Sequence, residues 1–327
     1  MKLDDVFAAW DESKQFGPSY ISYLRGRDIN GGLYNLPITM NCSMFWYRID
    51  RFKDAGLQPP KTWDDFYNAI AKLTDTSKGQ YGFVMRAGDS GGPDQLQQML
   101  FAYTGAKSYF DANGKAAFRD PVALDFLTKY ASVFNKYTAA GDVNNNYQMM
   151  VAAFDSGSAN VLQHNLGSLG EHKKNLPAGT FGTFLYPNSV KGYLNLRTPD
   201  TTGYSIYAGA KQKDAAWNFL KFLCGAKSMS FWNQKIGQYP VRLDVQKEDW
   251  VQNADHLKNL VTALQAPDTS FYEFPSYLPE YQQIINQIAI PGWQAVLLGK
   301  KTPAAFLDEW STAIEQAYQR YQAATKK

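Results

Sequence analysis

Short β-leaning runs alternate with helices whose starts carry capping signals along most of the chain, and that alternation restricts it to the α/β class. The clearest helix begins at Thr62. Thr62 can cap, Asp65 stands at the reciprocal position, and Trp63, Phe66, Ile70 and Leu73 repeat at helical spacing. Asp120-Pro121 supplies a cap followed by the proline favoured at the first helical position, with Leu124, Leu127, Ala131 and Phe134 on one face behind it. Further helices are expected around Tyr147 to Phe154, closed by Gly157, and after Asp214 as a cap, through Trp217 and Leu220. The last opens at Thr302-Pro303 and runs through Leu307, Trp310, Ile314, Ala317 and Tyr321. Between the helices, QYGFVM, SANVLQ, FGTFLYP, YLNL and GYSIYAG read as strands. LYNLPITMNCSMFWYRID is a long β-leaning run with Pro37 inside it. Proline is poorly tolerated in a central strand, so the run predicts two extended segments meeting at Pro37. Asp111 to Gly114 (DANG) predicts a hairpin turn between two short strands.

The 327 residues suggest about two domains at roughly 150 residues each. Hydrophobic residues at 45% against charged residues at 19% can bury a large core, which excludes wholesale disorder. A net charge of +3 spread over such a surface argues against a nucleic-acid partner or a polybasic membrane face. The aromatic share of 15% is high, and Tyr and Trp suit the lining of wet recognition sites. Cys42 and Cys224 stand far apart and outside any Cys/His cluster, so two separately buried thiols are expected, with neither structural zinc nor dithiol chemistry. No stretch reaches the roughly 18–20 apolar residues of a membrane helix. The opening MKLDDVFAAWDESK has acidic residues where a secretory signal would place its apolar core.

One string is tempting. Gly88 to Pro93 spells GDSGGP, the sequence around the nucleophile of trypsin-like serine proteases. That chemistry needs a histidine base, and in that family the histidine precedes the serine. His164, His172 and His256 all follow Ser90, so the match reads as accidental. A glycine-rich loop leaving a strand can still offer backbone N–H groups to polar ligand atoms. No Gly-x-x-x-x-Gly-Lys-Ser/Thr and no Gly-x-Gly-x-x-Gly after a strand is present, so no nucleotide cofactor is expected. Three scattered histidines give no metal spacing. Nothing singles out the carboxylate pair of a glycosidase.

Several segments follow one another in a set order. They are Tyr34 through Tyr47, then Asp50 and Phe52 to Leu57, then Pro59 to Phe66. Tyr81 to Phe83, Phe110 to Lys115, and Asp120-Pro121 with its helix follow. So do Met149 to Phe154 with Gly157 and Ala159, Gly203 to Gly209 with Ala216 to Leu220, and Leu298 to Pro303 with Leu307. Together they resemble family 1 extracellular solute-binding proteins of ABC sugar importers, the maltose-binding-protein-like group. Arg48 departs from the family, which usually has Asn there. The chain also starts some way into the family pattern, which implies that a leading part of the N-terminal lobe and the signal peptide are missing.

The resemblance implies a two-lobed, class II periplasmic-binding-protein-like α/β fold with a hinge and an interlobe cleft. The chain would cross between lobes near Thr39, Tyr204 and Phe274, giving one lobe from 1–38 plus 204–273 and another from 39–203 plus 274–327. It implies a receptor that captures a mono- or oligosaccharide by hinge closure and presents it to ABC permease subunits outside the cytoplasm, as a monomer, without catalysis or cofactor. The alternatives are a carbohydrate-active hydrolase, or a binding protein for a non-sugar solute such as a polyamine or glycerol phosphate. Candidate ligand contacts, placed by the family pattern, are Asn41 after the first crossing, Asp89 and Ser90 in the loop after YGFVM, and Tyr147 and Gln148 at a helix start. His164 and Asn165 at a strand end, Asp200 and Gly203 beside the second crossing, and Tyr239 and Arg242 in GQYPVR complete the set. Trp46, Trp63, Trp217 and Trp310 read as core, and Trp293 is open between core and site.

Overall fold

The computed structural model describes residues 1–28, 30–89 and 91–325. The strands among them are β1 (Leu36–Asn41), β2 (Ser43–Arg48), β3 (Tyr81–Val84), β4 (Ala159–Asn165), β5 (Phe181–Phe184), β6 (Asn195–Arg197), β7 (Asp200–Tyr204), β8 (Tyr239–Pro240) and β9 (Ser270–Tyr272). Helices alternate with them, as the sequence pattern requires of an α/β chain. The chain divides into two compact units. The first takes Met1–Ser43, Asn165–Gly170 and Pro199–Val261, and the second takes Met44–His164, Glu171–Thr198 and Thr262–Lys327.

The first unit is built on a three-stranded sheet in the order β7-β1-β8, antiparallel on both sides of β1. Leu36, Ile38 and Met40 from β1 are buried, as are Trp217, Leu220 and Cys224 of the helix Lys213–Cys224. The expected break at Pro37 is not there, because β1 runs through it. β8 pairs only with Thr39 and Met40, so the missing proline N–H costs no bond on that side, and the β7 register shifts between Pro37 and Thr39. The chain leaves the strand at Cys42 instead. Cys42 and Cys224 are both free and buried, and burial pushes the Cys224 thiol up to about 12. β7 also lies earlier than GYSIYAG suggests. Its pairing ends at Leu36 opposite Tyr204, and beyond that β1 offers no further strand residue. Asp214 stands in the first turn of its helix rather than at the cap, which is Gln212.

The second unit holds a four-stranded sheet in the order β3-β4-β2-β5, with β3 parallel to β4 and β2 antiparallel to β5, and a parallel pair β6-β9. Through its core runs the helix Gly91–Thr104, buried on nearly every side. Phe45, Phe66, Phe83, Phe101, Phe126, Trp293 and Trp310 join one continuous apolar cluster with it. Trp293 is therefore core, stacked 5.8 Å from Tyr130 with the rings 2° from parallel. Arg48 closes β2 by a two-pronged bond to Asp50, at 3.0 and 2.6 Å, at the start of the helix Ile49–Asp54. The DANG turn forms, with Asp111 accepting the Asn113 and Lys115 N–H groups at 2.8 Å, but its flanks make a single bridge, Phe110 to Ala116, rather than strands.

The helix Trp63–Lys72 starts as its sequence specifies: Asp65 N–H donates to Thr62 Oγ1 at 3.1 Å and Thr62 N–H donates to Asp65 Oδ2 at 2.9 Å. Removing such a cap costs about 1 kcal/mol. Thr62→Ala should lower unfolding stability by about that amount in urea, with Thr62→Ser restoring most of it. Equal stability of the three forms would show that the reciprocal bonds contribute nothing.

Candidate functional site

In an open α/β sheet, ligand groups gather at the carboxyl ends of parallel strands, where side chains leave the sheet next to helix starts. In the second unit these are the ends of β3 and β4. β3 runs out into Met85, Arg86, Gly88 and Asp89; β4 carries Gln163 and His164 just before its final residue, Asn165. The helix Tyr147–Asp155, capped by Asn146 accepting the Met149 N–H at 3.0 Å, brings Tyr147 to the same place. Its ring lies 4.5 Å from that of His164, edge to face, and its hydroxyl donates to Glu171 Oε2 at 3.0 Å.

The GDSGGP string owes two of its glycines to close packing. A Cβ on Gly88 would lie 2.2 Å from the Asn144 carbonyl oxygen, and one on Gly91 would lie 2.1 Å from Cζ of Arg86. The guanidinium thus rests on the first turn of the helix Gly91–Thr104. Asp89 grips it with two bonds, Arg86 Nε to Oδ1 at 2.7 Å and Nη2 to Oδ2 at 2.8 Å, and Asp89 Oδ1 also accepts the Gly91 N–H at 3.0 Å. Ser90 lies outside the described residues.

His164 is 2% exposed, and neither ring nitrogen has a hydrogen-bond partner among the described residues. Burial first, then the charge of Arg86, press its pKa down to about 3, so it is neutral near pH 7. Burial, then the Glu171 carboxylate, hold the Tyr147 phenol above its usual range. Beneath them Asp142 accepts the Met85 N–H at 2.7 Å and an Asn145 Nδ2 hydrogen at 2.8 Å, and burial pushes its pKa up to about 7. Gln163 and Gln95 tie β4 to the buried helix, Gln95 Nε2 donating to the Gln163 carbonyl at 2.9 Å and Gln163 Nε2 to Tyr186 at 2.7 Å. Gln148 is exposed on the Tyr147 helix. The arrangement offers an aromatic face, amides and a neutral imidazole, which suits the binding of hydroxyl groups.

The first unit gathers a second group. Asn41 ends β1 opposite Asp200 at the start of β7, and the Asn41 side-chain oxygen is buried without a hydrogen-bond partner. Asp200 accepts from the Tyr23 hydroxyl at 3.0 Å. Asn165 caps the short turn Leu166–Ser168 by accepting the Gly167 N–H at 2.9 Å, and Leu166 N–H donates to the Cys42 carbonyl at 3.2 Å, next to Asn41. Gly203 faces Pro37 in the sheet, and Tyr239 in β8 is opposite Met40 and nearly buried. Arg242 is 2% exposed, with Glu12 at 2.6 Å, Asp244 at 3.0 and 2.6 Å, and the rings of Trp10 and Phe16 within 6 Å. Its guanidinium is committed to packing in this unit. An open cavity of about 560 Å³ beside it is lined by Lys14, Lys221 and Lys227 with Glu12 and Asp244.

Arg86, Glu171, Asp142 and Gln163 belong to the strand-end group yet carry no sequence signal as a set, since each comes from a separate element. Only the Arg86-x-x-Asp89 spacing was available to find one of them. His172 is fully buried, with Asp155 2.5 Å from its Nδ1, and His256 Nε2 lies 2.9 Å from the Gly237 carbonyl. Among the described residues no group of His, Cys, Asp and Glu could hold a metal ion, and no helix is long and apolar enough to cross a membrane.

Residues 1–230 match the family model described as bacterial extracellular solute-binding protein. A multiple sugar-binding protein of Streptococcus mutans is 26% identical over 265 residues, 74% of this chain but only 61% of that protein. An sn-glycerol-3-phosphate-binding periplasmic protein of Escherichia coli is 25% identical over 346 residues, 97% of this chain and 74% of the relative. The chain thus spans about three fifths to three quarters of the length of these relatives. Its fold matches that of an ABC-transporter solute-binding protein from Thermotoga lettingae, solved with α-D-tagatose, with a TM-score of 0.82 at 22% identity over 97% of this chain and 80% of that one. The matched stretch includes β1 through β7, the strand-end group of the second unit, and Asn41, Asn165, Asp200 and Gly203 of the first, and the chain belongs to the family of bacterial extracellular solute-binding proteins.

Proposed function

We propose that the chain binds a mono- or oligosaccharide, or a related polyol, and passes it chemically unchanged to the permease subunits of an ABC importer. It acts outside the cytoplasm, as a monomer and without catalysis. The observation that carries this reading is the strand-end group of the second unit, where an aromatic side chain, a neutral imidazole and paired charges converge, while the surrounding amides anchor β4 to the core helix. Such a set holds hydroxyls and the C–H face of a sugar, and among the described residues it presents no activated nucleophile. Tyr147, His164, Gln148 and the Arg86–Asp89 pair are the contacts proposed in the second unit, and Asn41, Asn165 and Asp200 those in the first. The sugars named for two of the similar proteins, the multiple sugar-binding protein and the one solved with α-D-tagatose, support the same class.

A thermal-shift screen against mono-, oligosaccharides and polyols tests the proposal. At a ligand concentration about 100 times the dissociation constant, binding adds about 2.7 kcal/mol to stability and raises Tm by several degrees. Tyr147→Ala should weaken the best hit about tenfold, roughly 1.4 kcal/mol. A folded chain that shows no shift with any saccharide or polyol, or that hydrolyses a chromogenic glycoside, would overturn the receptor reading.

A further inference from the structure

On the reading just given, we infer that the strand-end site of the second unit selects uncharged polyhydroxylated solutes and excludes phosphorylated ones, and that Asp89 is the residue that enforces this by occupying the Arg86 guanidinium. The site otherwise holds what an anion requires. A helix of fourteen residues begins at Gly91, its positive end turned toward the loop, and Arg86 lies across its first turn because Gly91 has no side chain. Both features are already satisfied by one carboxylate. Asp89 takes both prongs of Arg86 at 2.7 and 2.8 Å and the Gly91 N–H at 3.0 Å. An incoming phosphate would have to displace a tethered competitor of the same sign.

The rest of the group reinforces the exclusion. Within the cluster of Arg86, Asp89, Asn145, Tyr147, His164 and Glu171, Arg86 is the one cation against two carboxylates, Asp89, which pairs with it, and Glu171, which accepts from Tyr147. The cluster therefore repels an anion even before Arg86 is considered spent. His164 adds no charge, because burial and the neighbouring guanidinium keep it neutral. Among the described residues the imidazole itself remains unpaired, and its two nitrogens offer one donor and one acceptor, the complement of a hydroxyl. One of the relatives is a glycerol-3-phosphate-binding protein, so family membership leaves the choice between neutral and anionic ligands open. The Arg86–Asp89 pair decides it.

The test uses isothermal titration of the full chain and of Asp89→Asn, which keeps an acceptor for the Gly91 N–H while freeing Arg86. Four probes are used: D-mannitol, maltotriose, sn-glycerol 3-phosphate and inorganic phosphate, together with any neutral hit from the saccharide screen. The wild type should bind a neutral compound and show no saturable binding of either phosphate. Asp89→Asn should gain at least tenfold in affinity for both phosphates, weakening as salt rises, and Asp89→Asn with Arg86→Gln should lose that gain. Circular dichroism and Tm confirm that each variant is folded. Wild-type binding of sn-glycerol 3-phosphate as tightly as any neutral compound would overturn the inference and leave the receptor reading intact. So would a folded Asp89→Asn that gains nothing for either anion. Failure of every probe and every saccharide with the wild type would instead strike the receptor reading, and the inference with it.

Discussion

Trp310→Ala should destabilise the chain by about 3–5 kcal/mol, the range for deleting a large aromatic side chain from a core. Trp310 has no exposed surface and packs against Phe118 at 4.7 Å and Phe306 at 5.3 Å between ring centroids, in the continuous cluster of the second unit. Its indole nitrogen has no hydrogen-bond partner among the described residues, so the loss is one of packing and apolar burial rather than of a polar bond. Trp310→Phe, which keeps most of the volume and removes the unpaired N–H, should cost less than half as much. Urea denaturation monitored by fluorescence and circular dichroism measures both. A cost below about 1 kcal/mol for the alanine variant would mean that the last helix, Pro303–Thr325, is not fastened to the core through this residue.

Asp142 makes the second large prediction. It is buried, 4% exposed, and its carboxyl has a pKa near 7 against an ordinary 3.8, because burial disfavours the charged form more than the Met85 and Asn145 hydrogen bonds favour it. A group whose pKa rises on folding holds its proton in the native state where the unfolded chain has already lost it. Stability then falls as pH climbs from about 4 to about 7. At about 1.4 kcal/mol per pH unit the whole passage amounts to at most about 4 kcal/mol. Asp142→Asn cannot ionise and should remove this component. The difference in unfolding free energy, variant minus wild type, should therefore grow with pH across that window and level off above it. A difference that stays constant from pH 4 to pH 8 would show that Asp142 carries no excess proton in the native state.

What the sequence discloses is what local chemistry determines. The reciprocal cap of Thr62 and Asp65, the Asp120-Pro121 start and the apolar face behind Thr62 form as their residue types require, because each depends on neighbours within one turn. The helix after Pro121 instead buries Ala123, Phe126, Leu127 and Tyr130 and leaves Leu124 exposed, since which face turns inward is set by what packs on it. Pro37 went otherwise because its cost depends on which strands flank it. With β8 only two residues long, Pro37 lies beyond the β8 pairing, and on the other side the β7 register shifts just after it. The DANG turn forms, but strand length on either side is a matter of tertiary partners, and those partners are absent there beyond one bridge. The candidate residues show the same division. His164, Tyr147 and Asp89 could be placed at strand and helix ends from sequence, whereas the pairing of Tyr147 with Glu171 joins residues 24 apart and has no local signature. Arg242 carried a motif-like setting in GQYPVR, yet its partners Glu12 and Trp10 come from the far end of the sequence.

The way each unit is drawn from three separate stretches sets a timetable for synthesis. β1 is complete once residue 41 has been made, but its partner strands lie at 200–204 and 239–240. At ~5–20 residues per second the ribosome needs about 10–40 s to deliver them. During that interval Leu36, Ile38 and Met40, all destined for the interior, have nothing of their own sheet to close upon. Trp310, Ile314 and Ala317 are among the later core residues of the other unit to arrive. A nascent chain of this design must be kept from premature pairing until residue 240 has emerged, and slowing translation between residues 41 and 240 should harm its yield more than slowing it before residue 36.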